Sequence, residues 1–175
     1  LIAVIAVIAI IAFSCVGTYN SLVAQRENVD TQYSAIDTQL QRRIDLIPNI
    51  VNTVKGYAAH ESEVFGAVSD ARARLAGAST KEEAAEADSE LTSAVSRLLM
   101  IAENYPDLKA DTQFTALTDE LAGTENRVAV ARKDYNDAAK TYNTQIKTFP
   151  KVIIANLFGV EKAEYFEAVD GAKAA

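Results

Sequence analysis

Histidine and cysteine occur once each, as His60 and Cys15, and tryptophan is absent. A single cysteine cannot build an internal disulfide framework or a thiolate zinc site. A single histidine excludes the His-Glu-x-x-His zinc motif and the paired Glu-x-x-His motifs of di-iron bundles. The seven glycines are scattered, so no phosphate loop forms, and no Gly-x-Ser-x-Gly elbow marks a serine nucleophile. EF-hand spacing is missing too. Val and Ile never alternate with polar residues over a useful length, and no Asn-Gly or Asp-Gly hairpin signal occurs, so strands are not expected. Lys+Arg is 17 against Asp+Glu 24, a net charge of -7, which argues against nucleic acid as a partner. The carboxylate pairs Glu82-Glu83 and Asp119-Glu120 fall on solvent-facing positions. From these absences no enzyme activity, metal or cofactor is expected.

What is present is apolar and helical. Residues 1–17 read LIAVIAVIAIIAFSCVG without a charge. As a helix they span roughly 25 Å, near the thickness of a bilayer core. The chain opens on Leu rather than Met, so a few further residues are expected upstream. A cleaved signal peptide and a lipidated Cys15 are the rival readings. Phe13 suits a lipobox poorly, and a retained transmembrane helix over residues 1–18 is the reading taken. A buried core helix would need a polar face, which this run lacks. The positive-inside rule needs both flanks, and only one is present, so the side of the folded part stays open.

From residue 19 the pattern becomes heptad-like. A first seam runs Leu22, Arg26, Val29, Tyr33, Ile36, Leu40, Arg43, Ile47 and stops at Pro48. A second runs from Ile50 to Leu75. A third, Ala84, Asp88, Leu91, Val95, Leu98, Ala102, Tyr105, opens with a Thr80/Glu83 capping box. A fourth repeats every seven residues as Phe114, Leu121, Val128, Tyr135, Tyr142 and Phe149. Proline is costly inside a helix, so Pro48 is expected to break the chain into a reversal. Four segments of about 30, 29, 26 and 39 residues result, roughly 40–60 Å each. The expected fold is all-α: an N-terminal transmembrane helix, then an up-and-down antiparallel four-helix bundle with long helices over residues 19–149. Residues 150–175 form a C-terminal tail with a short apolar segment. Helix parity returns that tail to the membrane, where Ile153, Ile154, Leu157 and Phe158 either cap the bundle or lie in the bilayer interface.

Charged residues on the seams need buried partners. Counting register from a reversal at Pro48 pairs Arg43 with Glu125 and Glu61 with Arg132. With Arg26 these form an expected structural polar layer. Asp88 also lies on a seam, but near a helix start, where a carboxylate is favoured.

Several stretches resemble the LemA family of bacterial membrane proteins. They are Tyr19-Asn20, Arg42-Arg43, Asp45-Leu46-Ile47-Pro48-Asn49, Val54-Lys55-Gly56-Tyr57 and His60-Glu61. Ala102-Glu103-Asn104-Tyr105-Pro106, Leu121-Ala122-Gly123-Thr124-Glu125-Asn126, Tyr135-Asn136, Phe149-Pro150, Leu157-Phe158-Gly159 and Tyr165-Phe166-Glu167 continue the likeness. Cys15 is a departure, because lipoprotein-like members often begin their mature chain at such a residue. The resemblance implies a single-pass protein with a helical bundle, most simply in the bacterial cytoplasmic membrane, and a magnetosome-associated branch implies a role in organising membranes. It implies no molecular activity.

The function expected is a non-enzymatic, membrane-anchored scaffold that forms homo-oligomers and organises membrane or partner proteins. Ala3, Ala6, Ala9 and Ala12 would let anchors pack closely. Lipid is contacted through residues 1–18. The net charge favours basic protein partners over anionic headgroups. The alternative is a transmembrane signal-relay or adaptor protein that binds a partner or ligand through the bundle.

Overall fold

A computed structural model describes residues 1–166; the rest of the expected 150–175 tail lies outside the described residues. The described chain is all-α. Its helices are α1 (Ile2–Tyr57), α2 (Ser62–Gly77), α3 (Lys81–Ala102), α4 (Pro106–Lys109), α5 (Thr112–Lys147) and α6 (Lys151–Leu157). Two compact units share α1 and α5. The first comprises Leu1–Ala35 with Ala131–Tyr165, and the second is built on Ile36–Val130.

The expected break at Pro48 does not occur. α1 passes through it as one helix of 56 residues. Proline has no N–H to give the carbonyl four residues earlier, and that carbonyl belongs to Ile44. Arg72, from α2, fills the place: its Nε donates to the Ile44 oxygen at 2.9 Å. A half-buried acceptor is thereby satisfied, and the main obstacle to continuing the helix is removed. The apolar seam also stays in phase, with Ile47, Ile50, Val51 and Val54 all buried. The reversal comes ten residues later, at Ala58–Glu61, where Ala58 N–H bonds the Val54 carbonyl and Glu61 N–H the Ala58 carbonyl. The near-equal segment lengths expected from a Pro48 turn are therefore not found.

In the second unit, α1 is touched by three other elements. α2 reaches it through Arg72, α3 through a buried ion pair, and α5 through the chain Arg42, Glu120, Arg127 and Gln39. Leu91 and Leu98 of α3, Val68 of α2 and Leu121 and Val128 of α5 fill the interior. α3 starts as its sequence indicates. Thr80 accepts from the Glu83 N–H at 3.1 Å, and the Glu83 carboxylate reaches back to the Thr80 N–H. α5 is capped by Asp111, whose Oδ1 accepts from the N–H groups of Gln113 and Phe114.

In the first unit, α1 and α5 pack through Leu22, Val29, Tyr135, Ala139, Tyr142 and Ile146. The rings of Tyr33 and Tyr135 meet edge-on with centroids 6.1 Å apart. The last buried member of the fourth seam is Tyr142, since Phe149, its expected last member, is exposed. The most apolar stretch of α1 buries nothing against the rest of the protein. Ile2, Val4, Ile5, Ile8, Ile10, Ile11 and Phe13 all face outward. Among the described residues α1 is the one helix long and apolar enough to cross a membrane.

Candidate functional site

The expected polar layer separates into two places. Arg43 is buried in the second unit, 1% exposed. Its Nη1 donates to Asp88 Oδ1 at 2.5 Å and its Nη2 to Thr92 Oγ1 at 3.0 Å. Thr92 in turn donates to the Asp88 carbonyl. The expected Arg43–Glu125 pair is thus replaced by Arg43–Asp88, and Glu125 lies exposed on α5. Moving the reversal from 48 to 58–61 shifts the register by about ten residues, nearly three helical turns. The same shift removes the basis for pairing Glu61 with Arg132. Glu61 is the residue before α2, where its carbonyl accepts from the Phe65 N–H.

Asp88 was visible on the third seam, but its nearness to a helix start supplied an easier explanation. Arg72 gave no signal in isolation; a proline inside an unbroken seam was the sign that some donor must come from elsewhere.

Arg26 belongs to the first unit. Its Nε lies 3.3 Å from Asp30 Oδ2, one turn on, and its guanidinium carbon stands 5.9 Å from the Tyr142 ring centroid. Burial pushes the Tyr142 hydroxyl above its ordinary value, and the charge of Arg26 pulls the other way. Tyr142 donates to the Glu161 carbonyl at 3.0 Å. Tyr135 does the same to the Glu164 carbonyl at 2.8 Å. Between them Asn143 makes a two-bond clasp on Ala163: Nδ2 to its carbonyl and its N–H to Oδ1, both 2.8 Å. The segment after α6 is therefore tied back along α5. Gly159, at φ +63°, makes the turn that allows it. Of these clasping side chains, Tyr135 and Tyr142 stand on the fourth seam, whereas Asn143 carries no signal in the sequence.

α6 itself has two faces. Ile154 and Ala155 are buried, while Ile153, Leu157 and Phe158 are exposed. Phe158 meets Tyr19 of α1 with ring centroids 4.7 Å apart. The four tail residues singled out from the sequence thus divide, Ile154 inward and the other three outward.

At the tip of the second unit Tyr57 donates to Asp111 Oδ2 at 2.8 Å. This bond favours the neutral phenol and the ionised carboxylate, so it raises the Tyr57 hydroxyl and lowers the Asp111 carboxyl. On the α5 surface, the Lys133–Asp137 bond raises the lysine and lowers the carboxyl in the same way. One open groove is lined by the polar side chains Gln25, Asn28, Gln32, Asp134 and Asp137. Among the described residues no group of three His, Cys, Asp or Glu side chains is placed to hold a metal.

The sequence is similar to several known proteins. Magnetosome protein MamQ 2 of Paramagnetospirillum magneticum is 29% identical over 192 residues, covering 94% of this chain and 71% of that protein. Magnetosome protein MamQ of Magnetospirillum gryphiswaldense is 26% identical, covering 93% and 70%. Protein LemA of Metamycoplasma hominis is 25% identical, covering 92% and 74%. The family model described as LemA family matches residues 32–175, and the chain belongs to the LemA family.

Proposed function

We propose that this protein is a non-enzymatic scaffold, anchored in the bacterial cytoplasmic membrane through residues 1–18. Its helical bundle self-associates and organises membrane or partner proteins. One observation carries the reading: α1 continues from the exposed apolar run into both folded units without interruption. A continuous helix holds the folded part stiffly to the anchor, so association of one imposes spacing on the other. The relatives named as magnetosome proteins support an organising role at a membrane. The test is the mass of the complex extracted from native membranes into nanodiscs. A large homogeneous homo-oligomer is expected. A monomer holding one stoichiometric partner would replace the scaffold with an adaptor, in which the same continuous helix relays a partner's binding across the membrane.

A further inference from the structure

We propose that α6 is a second membrane contact, its outer face lying in the headgroup layer of an anionic bilayer beside the exit of α1. This goes beyond the scaffold reading, since a single copy would dock in the same way.

Position is the first argument. The Phe158 ring packs on Tyr19, two residues past the end of the apolar run read over residues 1–17. α6 is therefore placed where α1 would leave the hydrocarbon. The second argument is the exposed apolar side chains on α6 and immediately flanking it. Phe149 is 77% exposed, Ile153 56%, Leu157 73% and Phe158 56%. Large apolar side chains grouped this way are uncommon on a surface that meets only water. With Tyr19 they supply the aromatic and aliphatic mixture typical of a bilayer interface. The face is also held in place. Ile154 and Ala155 root it, the Val160 N–H bonds the Ala155 carbonyl, and Asn143 clasps Ala163 just beyond.

Charge identifies the occupant. The chain as a whole carries -7, yet neither Leu1–Arg26 nor Ala138–Val160 contains an aspartate or glutamate. Those two stretches hold Arg26, Lys140, Lys147 and Lys151, and Lys151 also bonds the side-chain oxygen of Gln145. The first carboxylates appear at Glu27 on one stretch and Glu161 on the other. Negative charge is thus withheld from the part of the first unit nearest the apolar run. That pattern suits anionic headgroups, which attract nearby lysines and repel carboxylates. The expectation drawn from net charge alone, that anionic lipid is disfavoured, misses this separation.

The test uses the full chain with Cys15→Ser, carrying one cysteine-linked fluorophore at Ile153→Cys or, separately, Leu157→Cys. Both sites are exposed, so folding should survive, and circular dichroism checks it. A label at Thr31→Cys, 12 residues up α1 from Tyr19, is the reference. In vesicles of phosphatidylglycerol and phosphatidylethanolamine, nitroxides near the headgroup should quench positions 153 and 157 at least about twofold more than position 31. Pure phosphatidylcholine, or Lys147→Gln with Lys151→Gln, should shrink that difference. Equal quenching at all three positions overturns the docking. Quenching by a nitroxide on another copy, with lipid quenchers ineffective, overturns it in favour of a contact between copies. A difference unchanged in phosphatidylcholine overturns the anionic preference.

Discussion

Removing the guanidinium of Arg43 leaves Asp88 buried without its counter-charge. Arg43→Met should cost about 3–5 kcal/mol, the range for stranding one member of a buried pair. The double variant Arg43→Met, Asp88→Leu should recover most of that loss, because two matched apolar groups need no partner. Urea unfolding of the solubilised protein measures both; a single variant as stable as the parent would show that the pair contributes nothing. Asp111 makes a separate prediction through pH. Its carboxyl is held below its ordinary value, first by the Tyr57 hydroxyl and then by the Phe114 N–H. A lowered folded value means the contribution is complete above the unfolded value of about 3.9 and is lost as pH falls through the lower, folded one. Asp111→Asn keeps a capping side chain but removes the charge. Its melting temperature should fall below the parent's at pH 6, and the gap should close as pH drops below about 4. A gap of constant size across that range would refute the assignment.

Among the helices, Pro48 and Arg72 act together although 24 positions separate them in the chain. Arg72→Met withdraws a charged donor from the Ile44 carbonyl and should destabilise by about 1.5–3 kcal/mol. Pro48→Ala restores the backbone N–H that carbonyl would otherwise receive. In that background Arg72→Met should cost clearly less, and a double-mutant cycle reads the coupling. Additive losses would mean that Arg72 serves the helix in some other way. The α3 cap is simpler: Thr80→Ala should cost about 1 kcal/mol by the same denaturation. These two sites show what could be read in advance. The Thr80/Glu83 box is local, so its four residues contain the whole interaction, and it forms as the spacing indicates. The course of the chain at Pro48 depends on a residue from another helix, which propensity cannot anticipate. One sign was nevertheless present, because Arg43, Ile47, Ile50 and Val54 keep their four-three-four spacing across the proline. Once the reversal moved, Arg43 met Asp88, a partner of the right sign already visible on a seam.

The all-α class and the long apolar start of the first helix were legible because both rest on composition and period, which are summed over many residues. The division of the folded part into units, and the clasp of the 160–165 segment on α5, were not. The clasp depends on single hydroxyl and amide groups, Tyr135, Tyr142 and Asn143, finding backbone acceptors far along the chain. At the scale of the molecule, the apolar run and the core are separate parts. The first fully buried apolar side chain is Leu22, and none of the described side chains before Gly17 is buried in the protein. Stability from burial follows area removed from water, so the run contributes almost none of it. A chain lacking residues 1–16 should therefore keep its helical circular dichroism in aqueous buffer. Its melting temperature should stay within a few degrees of that of the detergent-solubilised parent. By contrast, Leu22→Ala in the intact chain should cost about 2–5 kcal/mol, since it opens a cavity in the first unit. If the truncated chain unfolds while Leu22→Ala is tolerated, the apolar run is a packing element and the anchor must lie elsewhere. If the reverse holds, the same helix serves lipid over its first turns and the protein core over the rest, with the change of solvent falling between Gly17 and Leu22.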